Sequence, residues 1–208
     1  MKYLTLAAVL LIQFSLMAQK RLDNPEIYLG TSHGITASRV GFTPNIEQDY
    51  LLGYNGGLVF RYIANNNVGV QAEVNFAQQG WHEPDSDFSR RMSYVEVPFM
   101  THFYMGKKAT RFIINLGPQV GLLVGEQAKN EPAGSTNVQH ITAPQNTFDY
   151  GFAFGLGFSF NVQKNVFQFE TRAYYALSDV YSNAKRDYFS RSDNMKLSIN
   201  LAWLLQVK

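Results

Sequence analysis

The chain has no cysteine in its 208 residues. That excludes disulfides, thiolate nucleophiles and cysteine-ligated zinc together, and it leaves no cysteine for a lipid anchor near the N-terminus. After the first eighteen residues, no apolar run approaches the length of a membrane-spanning helix. Charge is sparse and balanced: 16% of residues are Asp, Glu, Lys or Arg, with a formal net charge of +2. Such a balance does not build a general nucleic-acid surface. The nucleophile turn Gly-x-Ser-x-Gly is missing. Gly155-Leu156-Gly157 is no dinucleotide fingerprint, because no helix pattern follows it.

What the sequence does contain is alternation. Residues 148–162 place Phe148, Tyr150, Phe152, Phe154, Leu156, Phe158, Phe160 and Val162 in one phase. The other phase holds Asp149, Gly151, Ala153, Gly155, Gly157, Ser159 and Asn161. Successive side chains on a strand point to opposite faces, so this is a strand with one greasy face and one small, polar face. A soluble sandwich would show Lys, Glu and Arg on its polar face. Glycine and small residues suit a narrow enclosed space, as in a transmembrane barrel with lipid outside. Phe148, Phe152, Phe154, Phe158, Phe160 and, from the last strand, Trp203 are the expected lipid-facing residues.

Seven further segments alternate in the same way: Glu26–Ser38, Leu52–Ala64, Val68–Gln78, Ser93–Met105, Arg111–Val124, Val166–Leu177 and Met195–Val207. The connections alternate too. Asn65-Asn66-Asn67, Gly106–Thr110 and Gln163-Lys164-Asn165 are short turns, whereas Arg39–Leu51, Gly80–Met92, Gly125–Thr147 and Asp179–Asn194 are long and polar. Short periplasmic turns and long external loops characterise outer-membrane barrels. The expected fold is an all-β, eight-stranded antiparallel up-and-down transmembrane β-barrel. Pro98 and Pro118 fall inside strands, where each removes a ladder donor, so both are expected at bulges.

The N-terminus reads as a secretory signal peptide: Lys2, an apolar run from Leu4 to Leu16, and Ala18 before the cut. The expected organisation is a signal peptide over 1–18 and a barrel domain over 19–208.

The inward phase collects Arg61, Glu73, Glu96, Glu170, Arg172 and Lys196. Unpaired charge inside a barrel is costly, so three acids and three bases should pair and plug the lumen. Tyr28, Tyr54, Tyr62, Tyr175 and Trp203 lie near segment ends and suggest an interfacial aromatic girdle. The loop residues His82-Glu83-Pro84-Asp85-Ser86-Asp87 have metal-ligating types without metal-ligating spacing. Phe42, Phe88, Tyr188 and Phe189 lie in the long loops, for self-packing or for contact with a partner.

The strands Tyr94-Val95-Glu96-Val97-Pro98, Leu116-Gly117-Pro118-Gln119-Val120-Gly121 and Gly151–Phe160, with the closing Ala202-Trp203-Leu204, resemble the PorT-like outer-membrane β-barrel family over nearly all of the chain after residue 18. The resemblance implies an eight-stranded barrel in a Gram-negative outer membrane and carries over no catalytic residue. The founding member is associated with assembly of a protein-secretion system. The end Gln206-Val207-Lys208 departs from the terminal aromatic common in such barrels, a role Trp203 could take.

The expectation is therefore a non-enzymatic integral outer-membrane protein without cofactor, exported through a cleaved signal. It would be structural or bind partners through external loops, accessory to protein secretion or envelope assembly. Its partners would be outer-membrane lipid and other envelope or secretion-system proteins, not nucleic acid, and its state a monomer. Two alternatives compete. One is a secreted, soluble, lipocalin-like ligand-binding barrel with the aromatic face turned inward. The other is an outer-membrane hydrolase or acyltransferase using Ser93, His102 and Glu96, although six residues hold His102 and Glu96 about 20 Å apart along one strand.

Overall fold

In a computed structural model, which describes residues 21–106, 109–183 and 188–208, eight antiparallel strands form one closed barrel. The strands are β1 (Arg21–Thr43), β2 (Leu51–Asn65), β3 (Val68–Glu83), β4 (Phe88–Met105), β5 (Thr110–Lys129), β6 (Phe148–Val162), β7 (Asn165–Asp179) and β8 (Arg191–Gln206). A single helical turn, α1 (Val138–Ile141), lies between β5 and β6. Each strand pairs with its sequence neighbours, and β1 pairs with β8 from Tyr28–Gln206 to Thr43–Arg191. Closure leaves no unpaired edge. No helix among the described residues is long and apolar enough to cross a membrane. The signal-peptide segment, 1–18, lies outside the described residues.

The side-chain phase is the expected one. Phe148, Phe152, Phe154, Phe158, Phe160 and Trp203 all face outward, 43–55% exposed. The intervening Asp149, Ala153 and Ser159 are buried. A lipocalin-like barrel would need the reverse, so that alternative fails. Glycine keeps the interior narrow: a β-carbon at Gly155 would collide with the Glu170 carboxylate, and one at Gly157 with the backbone of β7.

Three expectations need correction. Tyr28 is not part of an outward girdle. It is 4% exposed, points inward and donates to Glu26 at 2.7 Å. Pro98 and Pro118 do not mark bulges. The β4–β5 register is the same at Pro98–Gln119 and Thr101–Leu116, and the slip lies higher, between Ser93 and Tyr94. The long loops are also shorter than expected, because the strands continue through them. Gly80–Glu83 and Phe88–Met92 are strand, which leaves four residues, 84–87, as the turn. At 16 and 18 residues, β3 and β4 run roughly 50–60 Å, and even when tilted they overshoot an apolar band of about 25 Å.

The overshoot has a physical signature. Within the apolar band, Val74 and Phe76 of β3 face outward. Above it, Trp81 of the same strand faces inward and is fully buried. On β1, Ile35 faces outward but Val40 and Phe42 face inward, and on β4, Val95 and Val97 face outward but Met92 and Phe88 inward. The apolar phase inverts where lipid gives way to water. The external end therefore packs like a soluble domain, with its grease inside.

Candidate functional site

The interior is a stack of layers with no open bore described. At the periplasmic end Tyr28, Val59, Ile63, Tyr104, Ile113, Val166, Ala202 and Leu204 form an apolar floor. Above it lies the charge network. The Arg172 guanidinium forks between two carboxylates, donating to Glu73 at 2.9 and 2.7 Å and to Glu170 at 2.9 and 3.2 Å. Lys196 donates to both oxygens of Glu96, at 2.5 and 2.6 Å. Arg61 touches no carboxylate directly. It donates to Gln71 at 2.9 and 2.6 Å and to Gln168. Those amides in turn donate to Glu73 at 2.6 Å and to Glu170 at 2.7 Å. All six charged residues are at most 7% exposed.

Each of the three acids thus meets a cation directly, Glu73 and Glu170 through Arg172 and Glu96 through Lys196, while Arg61 is joined to Glu73 and Glu170 through amide relays. Two of the direct pairs cross the barrel, β3 to β7 and β4 to β8, strands four places apart in a ring of eight, and the third, Arg172–Glu170, lies within β7. A fourth inward acid, Asp149, which the alternation places on the small polar face but which was not counted with the charge network, accepts from Tyr174 at 2.8 Å and from Ser178 at 2.6 Å. Its alternation with Phe148 and Tyr150 was the available signal. Asn115 and His102 complete the layer: the His102 Nδ1 lies 2.7 Å from Asn115, whose amide donates to Glu170 at 2.9 Å.

The external end is closed by Val40, Phe42, Trp81, Phe88, Met92, Tyr94, Val180, Tyr181 and Phe189. Phe42 meets Trp81 edge-on at 5.1 Å and Phe189 at 4.8 Å, spacings at which aromatic pairs attract. Of the loop aromatics, Phe42, Phe88 and Phe189 are thus buried in this cap, while Tyr188 meets the Phe189 ring at 4.9 Å and stays 60% exposed. Burial raises the Tyr181 phenol above its ordinary value. Arg90 lies over this cap, 5.9 Å from the Trp81 ring, and donates to Glu126 at 2.7 Å and to the carbonyls of Gln139 and His140 at 3.1 and 3.0 Å. It pins α1 to the β3–β4 hairpin.

The hydrolase residues do not converge. His102 and Glu96 lie in separate layers, and Ser93 is in the outward phase, between the outward Arg91 and Val95. A different row does form: His140 Nδ1 is 2.8 Å from Ser135 Oγ, and Nε2 is 2.8 Å from Glu83 Oε2. Hydroxyl, imidazole and carboxylate are the components of nucleophilic catalysis. Here they tie a loop. The Ser135 oxygen already accepts the Asn137 N–H at 3.2 Å, and the Phe88 ring covers the imidazole at 4.4 Å. Among the described residues no three metal-ligating side chains group together. Glu83 of the acidic loop turns inward to His140 instead.

The sequence matches the outer membrane protein beta-barrel domain over residues 17–182. The chain belongs to that family. Its strands therefore cross an outer membrane, which accounts for the outward grease and the inward charge. Three solved structures are similar in fold. The attachment invasion locus protein Ail of Yersinia pestis, solved in complex with the heparin analogue sucrose octasulfate, is 16% identical, with 86% of this chain and 99% of that one covered and a TM-score of 0.45. Neisserial surface protein A is 12% identical, covering 86% and 98%, with a TM-score of 0.46. Escherichia coli outer membrane protein W is 12% identical, covering 85% and 96%, with a TM-score of 0.43. No curated protein matches the chain.

Proposed function

We propose that this barrel is a non-enzymatic, monomeric outer-membrane protein that meets other envelope or secretion-system proteins through its external loops, in the manner of the PorT-like barrels it resembles. Residues 1–18 would be a signal peptide removed on export. One observation carries the reading: the interior is occupied from floor to cap by its own side chains. A filled lumen offers no channel and no ligand chamber, so the surfaces available to other molecules are the outer wall and the loops. In this reading the network of Arg61, Glu73, Glu96, Glu170, Arg172 and Lys196 holds the barrel closed. Phe148, Phe152, Phe154, Phe158, Phe160 and Trp203 would touch acyl chains.

The test is photo-crosslinking in intact cells from Tyr188 and Ile141, both exposed on the external side, with Asn66 in a periplasmic turn as the comparison. Discrete envelope-protein adducts from the external sites, absent from Asn66, are expected. Adducts from Asn66 alone would move the partner surface to the periplasm and overturn the proposal. In planar bilayers the purified protein should show no sustained conductance. A steady open channel would contradict the filled lumen.

A further inference from the structure

The outer wall has hollows between its ridges of large side chains, and one of them lies near the external end of the apolar band. Two cross-strand rows define it. In the lower row Ala173 of β7 pairs with Leu197 of β8, which pairs with Ala37 of β1. The two alanines leave a trough on either side of Leu197. In the upper row Tyr175 pairs with Met195, which pairs with Arg39. Tyr50, just before β2, stands beside Arg39. The trough is about 520 Å³, and its far wall is the ridge of Phe152 and Phe154.

Arg39 is the informative residue. It is outward and exposed, at the level where the apolar phase on β1 ends. Its guanidinium lies 5.6 Å from the Tyr50 ring centroid, within cation–π range. Among the described residues it meets no carboxylate. Arg191, two outward positions further up β8, is in contrast neutralised by Asp193 and donates to the Tyr175 hydroxyl at 2.5 Å. The patch therefore joins an apolar trough of acyl-chain character to an uncompensated, aromatic-braced guanidinium at the membrane surface. Arginine's planar fork matches phosphate oxygens, and interfacial basic pockets hold anionic lipid headgroups.

We propose that this trough is a binding site for a phosphate-bearing lipid of the external leaflet, with an acyl chain lying over Ala173 alongside Leu197 and the phosphate on Arg39. One interfacial arginine contributes about a fivefold preference for an anionic headgroup.

The test reconstitutes the full chain in phosphatidylcholine bilayers containing a minor fraction of phosphatidic acid. Lipids retained on the released barrel are then counted by native mass spectrometry. The wild type should retain phosphatidic acid in preference to phosphatidylcholine. Arg39→Ala should lower that preference about fivefold. Ala173→Phe should abolish retention while leaving Arg39 in place. Lys164→Ala, which removes an exposed cation in the β6–β7 turn at the other end, should change nothing. Heat-modifiable migration identifies folded variants, and Arg39→Gln replaces Arg39→Ala if the latter does not fold. Unchanged retention in both trough variants overturns the site. Loss in Arg39→Ala with wild-type retention in Ala173→Phe reduces it to surface charge and also overturns it. So does full competition by inorganic phosphate, which would mean that the headgroup alone is bound, and so does a lipid-free dimer with the trough buried between copies.

Discussion

Replacing Arg172 with methionine is the most direct trial of the interior described above. Arg172 makes four hydrogen bonds to two carboxylates, at 2.7–3.2 Å, and its side chain and both carboxylates are at most 7% exposed. Methionine keeps most of the volume and removes the charge. Glu73 and Glu170 would then face each other with their cation gone, served only by the amides of Gln71, Asn75, Asn115 and Gln168. Breaking a buried ion pair by removing one partner costs about 3–5 kcal/mol. Removing all three charges should not, because a shape-matched neutral replacement of a buried triad is commonly neutral or stabilising. Urea titration of barrels folded in lipid vesicles, read by heat-modifiable migration, compares wild type, Arg172→Met and the triple variant Arg172→Met/Glu73→Gln/Glu170→Gln. The single variant should lose about 3–5 kcal/mol and the triple variant should recover most of it. A single variant within about 0.5 kcal/mol of wild type, or a triple variant no better than the single, would refute the account.

Further outcomes follow from the cap and the wall. Gly155→Ala puts a methyl group where the Glu170 carboxylate sits and should destabilise the folded barrel by about 1–3 kcal/mol in the same titration; an unchanged midpoint would contradict the tight packing. Trp81→Ala removes the largest fully buried side chain of the cap, so external loops should become protease-sensitive in intact cells while the membrane-embedded part still migrates as folded. Equal protease resistance would show that the cap does not depend on this ring. The Tyr181 phenol is held above its ordinary value by burial, so the folded cap favours the neutral form. Its stabilising contribution is complete below about pH 10, the unfolded value, and declines as pH rises towards the folded value. Alkaline titration should thus weaken the wild-type cap more than that of Tyr181→Phe; parallel curves would remove Tyr181 from the argument.

The barrel was legible because lipid imposes a simple rule on every strand it touches. From Phe148 to Val162 one phase is apolar and the other small or polar without exception, and β6 occupies that range in the structure. The rule fails where lipid ends. Trp81, Phe88 and Met92 are apolar in the phase that lower down faced the lumen, so the segment looked like a loop although the backbone ladder continues. A strand search that allows one inversion of phase would have carried β3 and β4 to Glu83 and Phe88. The charged lumen residues were legible as a set from their shared phase, but their pairing was not. Alternation says which way a side chain points and nothing about depth. Depth decides that Arg61 meets glutamines and Arg172 meets glutamates. The Ser135–His140–Glu83 tie joins segments 57 residues apart and has no local signal at all.

The contacts Glu73–Arg172 and Glu96–Lys196 cannot form in a flat, half-assembled sheet, because strands four places apart face each other only after the sheet has curled shut. Until β1 meets β8, each of these ions must stay hydrated. Water therefore has to leave the core in step with the final zippering, so that the last seam to form and the drying of the interior become one event.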